Sequence, residues 1–306
     1  MKCSKCGRKA VFHRKYEGSY LCEKHFVRSI EDKVRKTIRK DSMIERGDSI
    51  AFALSGGKDS SAVLCMISKI FSKRNDLRMF AVSVDEGIPG YRKESLEIAK
   101  RLCKKLGIEH HVFSFKEELG KDLSDKVGGR KPNEWEGTAC TYCGLARRWI
   151  LNRKARELKA DKIVFGMNLD DEIQGIMMDY IRGDLSRLSR MGGEPILRSE
   201  MFVPRIKPFR EIPEKEIGLY AILTGLEIQE KECPYLEGPR FRVRDFLNDL
   251  ENQSPGTKFS VLKTFERLLP SVREIIKDEN VRIVKCGKCG EPSSQRVCKT
   301  CELWRN

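Results

Sequence analysis

No stretch of this chain stays apolar for the roughly 20 residues that a membrane-spanning helix needs. Its opening residues, MKCSKCGRKA, hold no apolar signal-peptide core. The expectation is a cytoplasmic protein with no membrane contact. Acid is also in short supply: 45 Asp and Glu stand against 60 Lys and Arg, a formal net charge of +15. An excess of that size favours a polyanionic partner, nucleic acid above all. The plainer alternative is a lysine-rich, solvated surface. No low-complexity tract interrupts the chain. What is plentiful is cysteine, with 12 in 306 residues. In a reducing compartment that number points to metal rather than to disulfides.

Eight of the potential ligands fall into two matched sets. Near the start, Cys3-x2-Cys6 is followed by Cys22-x2-His25, with a hairpin-like stretch and Gly18 at its turn between them. Near the end, Cys286-x2-Cys289 is followed by Cys298-x2-Cys301. Two close pairs on two tight knuckles suit one tetrahedral zinc each, so two Zn2+ are expected. Disulfide-bonded knuckles are the alternative. Neither segment buries much apolar surface by itself, so zinc would supply much of its folding free energy. His13 reads as a surface residue, because four better-spaced ligands already exist. After the first knuckles, Val27, Ile30, Val34 and Ile38 recur at helical spacing among Lys and Arg.

Between the modules, apolar strands alternate with amphipathic helices. Strands are expected at Ser49–Leu54, Met79–Val84, His110–Phe115 and Lys162–Met167, and the chain beyond Pro204 reads as mainly helical. This alternation argues an α/β fold, a doubly wound parallel sheet with helices on both faces. Three units are expected: residues 1–28, 29–284 and 285–306. Cys65 and Cys103 fall on apolar helix faces and read as inert core thiols.

Ligands of such sheets bind beyond the carboxyl ends of the strands. Directly after the first strand comes SGGKDSS, Ser55 to Ser61. Gly56 and Gly57 allow a tight turn in which successive amides face one anion, and the next helix adds its N-terminal partial charge. Ser55, Ser60 and Ser61 add hydroxyls, and Lys58 a cation. The Walker A spacing is absent, and Asp59 follows the lysine. A glycine turn between strand and helix is by itself a common structural device.

A second feature lies in EGTACTYCGLARR, Glu136 to Arg148, which carries Cys140 and Cys143 with no matched pair nearby. A third zinc site and a redox pair both remain open on these residues alone.

The string Ser-Gly-Gly-Lys-Asp-Ser after an apolar strand resembles the PP-loop ATP pyrophosphatases, which have a Rossmann-like sheet. FGMNLDDEIQ, CTYCGLARR and YIRGDLSRLSR resemble, more narrowly, the archaeal and eukaryotic cytosolic tRNA 2-thiouridine synthetases. The resemblance implies ATP-dependent thiolation of uridine in tRNA through an adenylated intermediate. It implies a [4Fe-4S] cluster on Cys140, Cys143 and a third cysteine some ninety residues on, where KECPYLEG supplies Cys233. It implies phosphates on Ser55 to Ser60, adenine near Ala53 and Val84, and Mg2+ assisted by Asp59 or Asp171, beside Gly166. A basic residue seven positions after the first cluster cysteine is Arg147, a candidate partner for the α-phosphate. Met167 departs from the histidine that many relatives carry there. Asp170 and Glu172 read as structural or solvated.

The expected partners are tRNA, a sulfur donor (sulfide or a ubiquitin-like thiocarboxylate carrier protein) and a second copy of the chain in a homodimer. The motifs lean towards the wobble position, U34. Thiolation of U54, a persulfide or disulfide mechanism on the same cysteines, and a zinc-dependent RNA-binding protein without catalysis are the alternatives.

Overall fold

The computed structural model describes residues 1–128, 138–193, 199–236, 238–277 and 283–304. The first module begins with an antiparallel hairpin, β1 (Phe12–Arg14) and β2 (Ser19–Leu21). Gly18, at φ 63, ends its 3-10 turn in the left-handed region that favours glycine. His13 is exposed and stacks on Tyr20. Helix α1 (Glu23–Lys40) follows and buries Phe26, Ile30, Val34 and Ile38, a stripe that recurs every four residues. The helix is continuous through residue 28.

Strands and helices then alternate: β3 (Ser49–Ala53), α2 (Lys58–Ile70), β4 (Arg78–Asp85), α3 (Arg92–Leu106) and β5 (Glu109–Ser114). Two short helices, α4 (Phe115–Leu119) and α5 (Leu123–Val127), precede α6 (Ala139–Glu157), β6 (Lys162–Val164), α7 (Leu169–Ile181), α8 (Leu185–Leu188) and β7 (Arg205–Ile206). Strands β3 to β7 form one parallel sheet in the order β5-β4-β3-β6-β7. The chain winds outwards from β3 to β5, crosses back, and continues on the other side of β3. That reversal puts the switch point between β3 and β6, where ligands of doubly wound sheets bind.

Both faces of the sheet are covered. On one, Ile50 and Phe52 pack with Phe26, Ile30 and Val34 of α1, with Ala62, Leu64 and Met66 of α2, and with Ile217 and Tyr220 of α9 (Glu214–Leu223). On the other, Ala51, Phe80 and Val82 pack with Tyr142, Ala146, Trp149 and Ile150 of α6. A third cluster joins α7 and α8 to α10 (Pro239–Gln253) and α11 (Thr257–Lys277) through Ile173, Leu188, Leu247 and Phe265. Burying each such side chain stabilises the fold by about 1.5–3 kcal/mol.

Both cysteine modules are fastened to this body. Arg14 and Glu216 of α9 form a buried ion pair at 2.6 Å, and the Tyr16 hydroxyl also donates to Glu216. The last module, with β8 (Val284–Lys285), β9 (Pro292–Ser293) and α12 (Lys299–Trp304), packs on α6. Trp304 meets Phe115 edge-on at 5.1 Å.

Several expectations shift. The fourth strand stops at Val164 rather than Met167, because the chain must turn there to bring Gly166 against the loop after β3. Strand β7 is only two residues between Pro204 and Lys207-Pro208, too short for a periodic signal. Helix α6 begins at Ala139, so Cys140 and Cys143 lie within its first turns. Cys103 is a core thiol, whereas Cys65 is only half-buried, at the edge of the core. Among the described residues, no helix is long and apolar enough to cross a membrane.

Candidate active site

The loop after β3 folds on its own hydroxyls. Ser55 Oγ and Ser60 Oγ are 2.9 Å apart, the Ser55 amide donates to Ser60 Oγ at 3.1 Å, and Ser60 Oγ donates to the Gly57 carbonyl. Gly56 has φ 82, and a Cβ there would lie 2.1 Å from the Ser95 carbonyl oxygen. Only glycine fits that turn. No side chain caps the first turn of α2, so its amides are left to face an anion. Lys58 is not a free cation: it lies 3.0 Å from Asp59 and 2.6 Å from Glu214.

The segment after β6 closes on this loop. A Cβ on Gly166 would come within 2.7 Å of the Asp59 carbonyl, so the contact is backbone against backbone. Asn168 caps α7 by accepting from the Asp171 amide, and its Nδ2 donates to Asp59 Oδ1 at 3.3 Å. Asp59 and Asp171 thus share one corner. Burial raises both carboxyls, with Lys58 opposing the shift at Asp59. Asp171 is pushed up to about 6, against the pull of Arg240, which lies 2.6 Å away. Asp170 and Glu172 point elsewhere. Both are buried and ion-paired, to Lys258 and Lys207 respectively, so neither is solvated.

The three interior cysteines converge although Cys233 is 90 residues after Cys143. The segment that carries Cys233 is pinned to the first loop, where the Gln229 amide donates to the Gly56 carbonyl at 3.2 Å. Two residues past Cys233, the Tyr235 carbonyl accepts from Cys140 Sγ at 3.3 Å. Burial pushes the Cys143 thiol up to about 12, and Arg147 only partly counters it. Burial also raises Cys233. A helix start ordinarily lowers a thiol pKa, which would favour a redox pair. At Cys143, burial overrides it.

Arg147 lines the cleft beside these thiols, with half of its side chain reachable by water. Burial opposes its charge, but Cys143 and Glu86 outweigh that, and its pKa is raised. Glu86 connects the two halves of the site. It is buried, 3.7 Å from Arg147 and 2.8 Å from Arg92 Nε. That Nε–H is aimed at the Val84 carbonyl, so the Arg92–Glu86 contact is ionic. Arg92 in turn donates to the Ser55 carbonyl at 2.7 Å. A continuous polar path therefore runs from Ser55 through Arg92 and Glu86 to Arg147. Sequence reasoning missed Glu86 and Arg92. The available signal was Glu86's place just past an apolar strand. Ala53 is half-buried at the end of β3, and Val84 is buried.

The terminal sets are compact. Cys6 and Cys22 Sγ atoms are 3.7 Å apart, and His25 Nδ1 is 3.4 Å from both Cys3 and Cys22. Cys289 and Cys298 are also 3.7 Å apart. Four sulfurs on one tetrahedral zinc sit about 3.8 Å from each other. Amides of Cys298 and Cys301 donate to Cys286 Sγ and Cys298 Sγ, which suits thiolates. Among the described residues, these two are the groups whose ligand atoms all lie within 4.8 Å of one another. The trio of Cys140, Cys143 and Cys233 is not a third. Its ligand atoms do not all lie within that distance of one another. Glu136 and Gly137, ahead of Cys140, lie outside the described residues.

A parallel sheet with an anion-cradling loop at its switch point defines a nucleotide-binding α/β protein, here with thiols at the same strand ends. Comparison with known proteins agrees. Residues 25–233 match the PP-loop domain, and residues 2–27 match the N-terminal LIM domain of the 2-thiouridine synthetase TtuA. The tRNA 2-thiolation protein NcsA of Haloferax volcanii is 37% identical, over 99% of this chain and 98% of that protein. The tRNA-5-methyluridine(54) 2-sulfurtransferase of Pyrococcus horikoshii is 33% identical, over 99% and 94%. The structure of the U34-tRNA thiolase NcsA from Methanococcus maripaludis, with its [4Fe-4S] cluster, superposes with a TM-score of 0.84 at 35% identity, over 100% and 96%. This chain belongs to the PP-loop family, among the tRNA 2-thiolation proteins.

Proposed function

We propose that the chain is a tRNA-uridine 2-sulfurtransferase that acts at U34. The observation that carries this reading is the path from Ser55 through Arg92 and Glu86 to Arg147 beside Cys143. It joins an activation loop to a thiol site. The amides and hydroxyls of Ser55 to Ser60, with Gly56, Gly57 and Lys58, bind the phosphates of ATP. Ala53 and Val84 flank the adenine. Asp59 or Asp171, next to Gly166, assists a Mg2+ ion carried by those phosphates. Uracil O2 attacks the α-phosphorus, and the bond to pyrophosphate breaks. Arg147 offsets charge on the α-phosphate as that happens. Sulfide then forms a bond to C2, the C2–O bond breaks, and AMP leaves with the oxygen.

Cys140, Cys143 and Cys233 would hold a [4Fe-4S] cluster, which when bound supplies an open iron for sulfide. Cys3, Cys6, Cys22 and His25 would hold one structural zinc, and Cys286, Cys289, Cys298 and Cys301 another. The three units proposed are residues 1–28, 29–284 and 285–306. The reading includes a cytoplasmic homodimer supplied with sulfide or with a thiocarboxylate carrier. A persulfide route on the same cysteines is the alternative, and it predicts that iron-free protein given a persulfide donor keeps its activity. The U34 assignment leans on the structural likeness to a U34-tRNA thiolase.

The test is an oxygen-free thiolation assay read by mass spectrometry of tRNA nucleosides mapped by position. Thiolation at position 34 is expected, with iron and activity lost together in Cys140→Ala, Cys143→Ala and Cys233→Ala. Sulfur at position 54 would overturn the target. Full activity of iron-free protein would overturn the cluster.

A further inference from the structure

Four guanidinium groups gather beside the cysteine helix: Arg147, Arg148, Arg187 and Arg205. Two have acid partners, Arg147 with Glu86 at 3.7 Å and Arg187 with Asp184 at 3.1 Å. Arg148 and Arg205 have no acid partner among the described residues. Arg148 folds back along α6, where a Cβ on Gly144 would lie 3.1 Å from its NH1, one residue past Cys143. Arg205 opens β7 with its guanidinium 5.4 Å from the centre of the Phe165 ring. Phe165 immediately precedes Gly166, which presses on Asp59. Arg148 therefore lies beside the cysteine turn of α6, and Arg205 beside the segment that follows β6.

Burial, then Arg205, Arg147 and Arg187, bring Arg148 down to about 10, and burial lowers Arg205. Both residues are exposed. Like charges held together with no acid partner among the described residues suit a ligand that brings the opposite charge. Each guanidinium presents a fork that matches two phosphate oxygens.

We propose that Arg148 and Arg205 form a phosphodiester site that grips the RNA backbone next to the nucleotide being modified. This rests on reading the substrate as tRNA. ATP is the other source of phosphate on this chain, but in the proposed function the amides of Ser55 to Ser60 already serve its phosphates.

The experiment uses the full chain and unmodified tRNA, with binding measured by fluorescence anisotropy across a salt series. Arg148→Gln and Arg205→Gln should each weaken tRNA binding roughly tenfold. Each should also reduce the salt slope by about 0.7–0.9, the loss of one phosphate contact. ATP binding, measured in parallel, should be unchanged and shows that the variants are folded. Arg148→Lys and Arg205→Lys, which keep the charge, should keep the slope while losing affinity. Arg101→Gln, at an exposed pair with Glu227, should change neither. Variants that bind tRNA as the parent does, with the same slope, overturn the site. Loss of ATP binding instead of tRNA binding assigns the arginines to the nucleotide and also overturns it. If the parent chain has no affinity for tRNA, the proposed function fails first, and this site with it.

Discussion

The indole nitrogen of Trp304 donates to the backbone carbonyl of Tyr142, 3.2 Å away. Tyr142 lies between Cys140 and Cys143, so the last helix of the chain secures the turn that carries two of the three interior thiols. Trp304 is 3% exposed and shares a cluster with Cys286, Cys298 and Cys301. Trp304→Ala should destabilise the protein by about 3–5 kcal/mol, the usual range for emptying a buried Trp site. Stripping metal from the C-terminal set should speed amide exchange in the first turns of α6. Unchanged exchange there would show that the module does not support the thiol helix.

Two glycines let the loop after β3 pack closely against its neighbours, α3 and the segment after β6. Gly166→Ala forces a methyl group to within 2.7 Å of the Asp59 carbonyl, and Gly56→Ala to within 2.1 Å of the Ser95 carbonyl at a positive φ. Both contacts are with backbone, so the loops must part. ATP affinity should fall at least tenfold in each variant while the far-UV spectrum changes little, and the unfolding midpoint should also drop in Gly56→Ala, whose methyl meets the backbone of α3. Calorimetric titration with ATP decides this. Wild-type affinity would mean that the loops do not close on the nucleotide.

The parts legible in the sequence were those written in adjacent residues. SGGKDSS follows an apolar strand, and each knuckle is a short spacing whose chemistry does not depend on distant contacts. What stayed hidden depends on the fold. Glu86 and Arg92 look like ordinary surface charges until β4 and α3 place them between Ser55 and Arg147. Strand β7 has two residues and no period. Cys143 at a helix start reads as an acidic thiol, and only the packing of α6 on the sheet shows that burial dominates. Cys233 could be assigned through resemblance, because nothing within ten residues of it marks a ligand.

His110 makes stability depend on pH. Ser83 Oγ donates to the Leu54 carbonyl at 2.6 Å, so His110 Nε2, 2.7 Å from Ser83 Oγ, must be the donor there. Burial lowers this histidine from 6.5 to about 4. Between those values the unfolded chain binds more protons than the folded one, so stability rises with pH across that window. The contribution is complete above about 6.5 and is lost progressively as pH falls towards about 4. His110→Gln keeps a donor without the titration. It should flatten the change in urea midpoint between neutral and mildly acidic buffer. An equally steep dependence in the variant would assign it to other groups.

Asp171 is held from two sides. Its Oδ2 accepts from the Asn168 amide at 3.2 Å, which fixes the start of α7, and its Oδ1 is 2.6 Å from Arg240. Arg240 opens α10, seven residues after Cys233, and also donates to Gln174. If Asp171 assists the magnesium of ATP, Arg240 and the metal compete for one carboxylate oxygen. Asp171→Asn keeps a group that can accept from Asn168 but removes the charge. It should cut ATP-dependent pyrophosphate release at least about a hundredfold, or roughly 2.7 kcal/mol in the barrier. Arg240→Gln should act in the other direction on metal demand. With the competing cation gone, half-maximal pyrophosphate release should need less Mg2+, while the rate at saturating Mg2+ changes little. The two variants together separate the roles, since a purely structural Asp171–Arg240 pair predicts that both lower stability and neither changes the Mg2+ requirement. A rise in that requirement for Arg240→Gln would make Arg240 a positioning residue for the carboxylate, and the competition would be wrong.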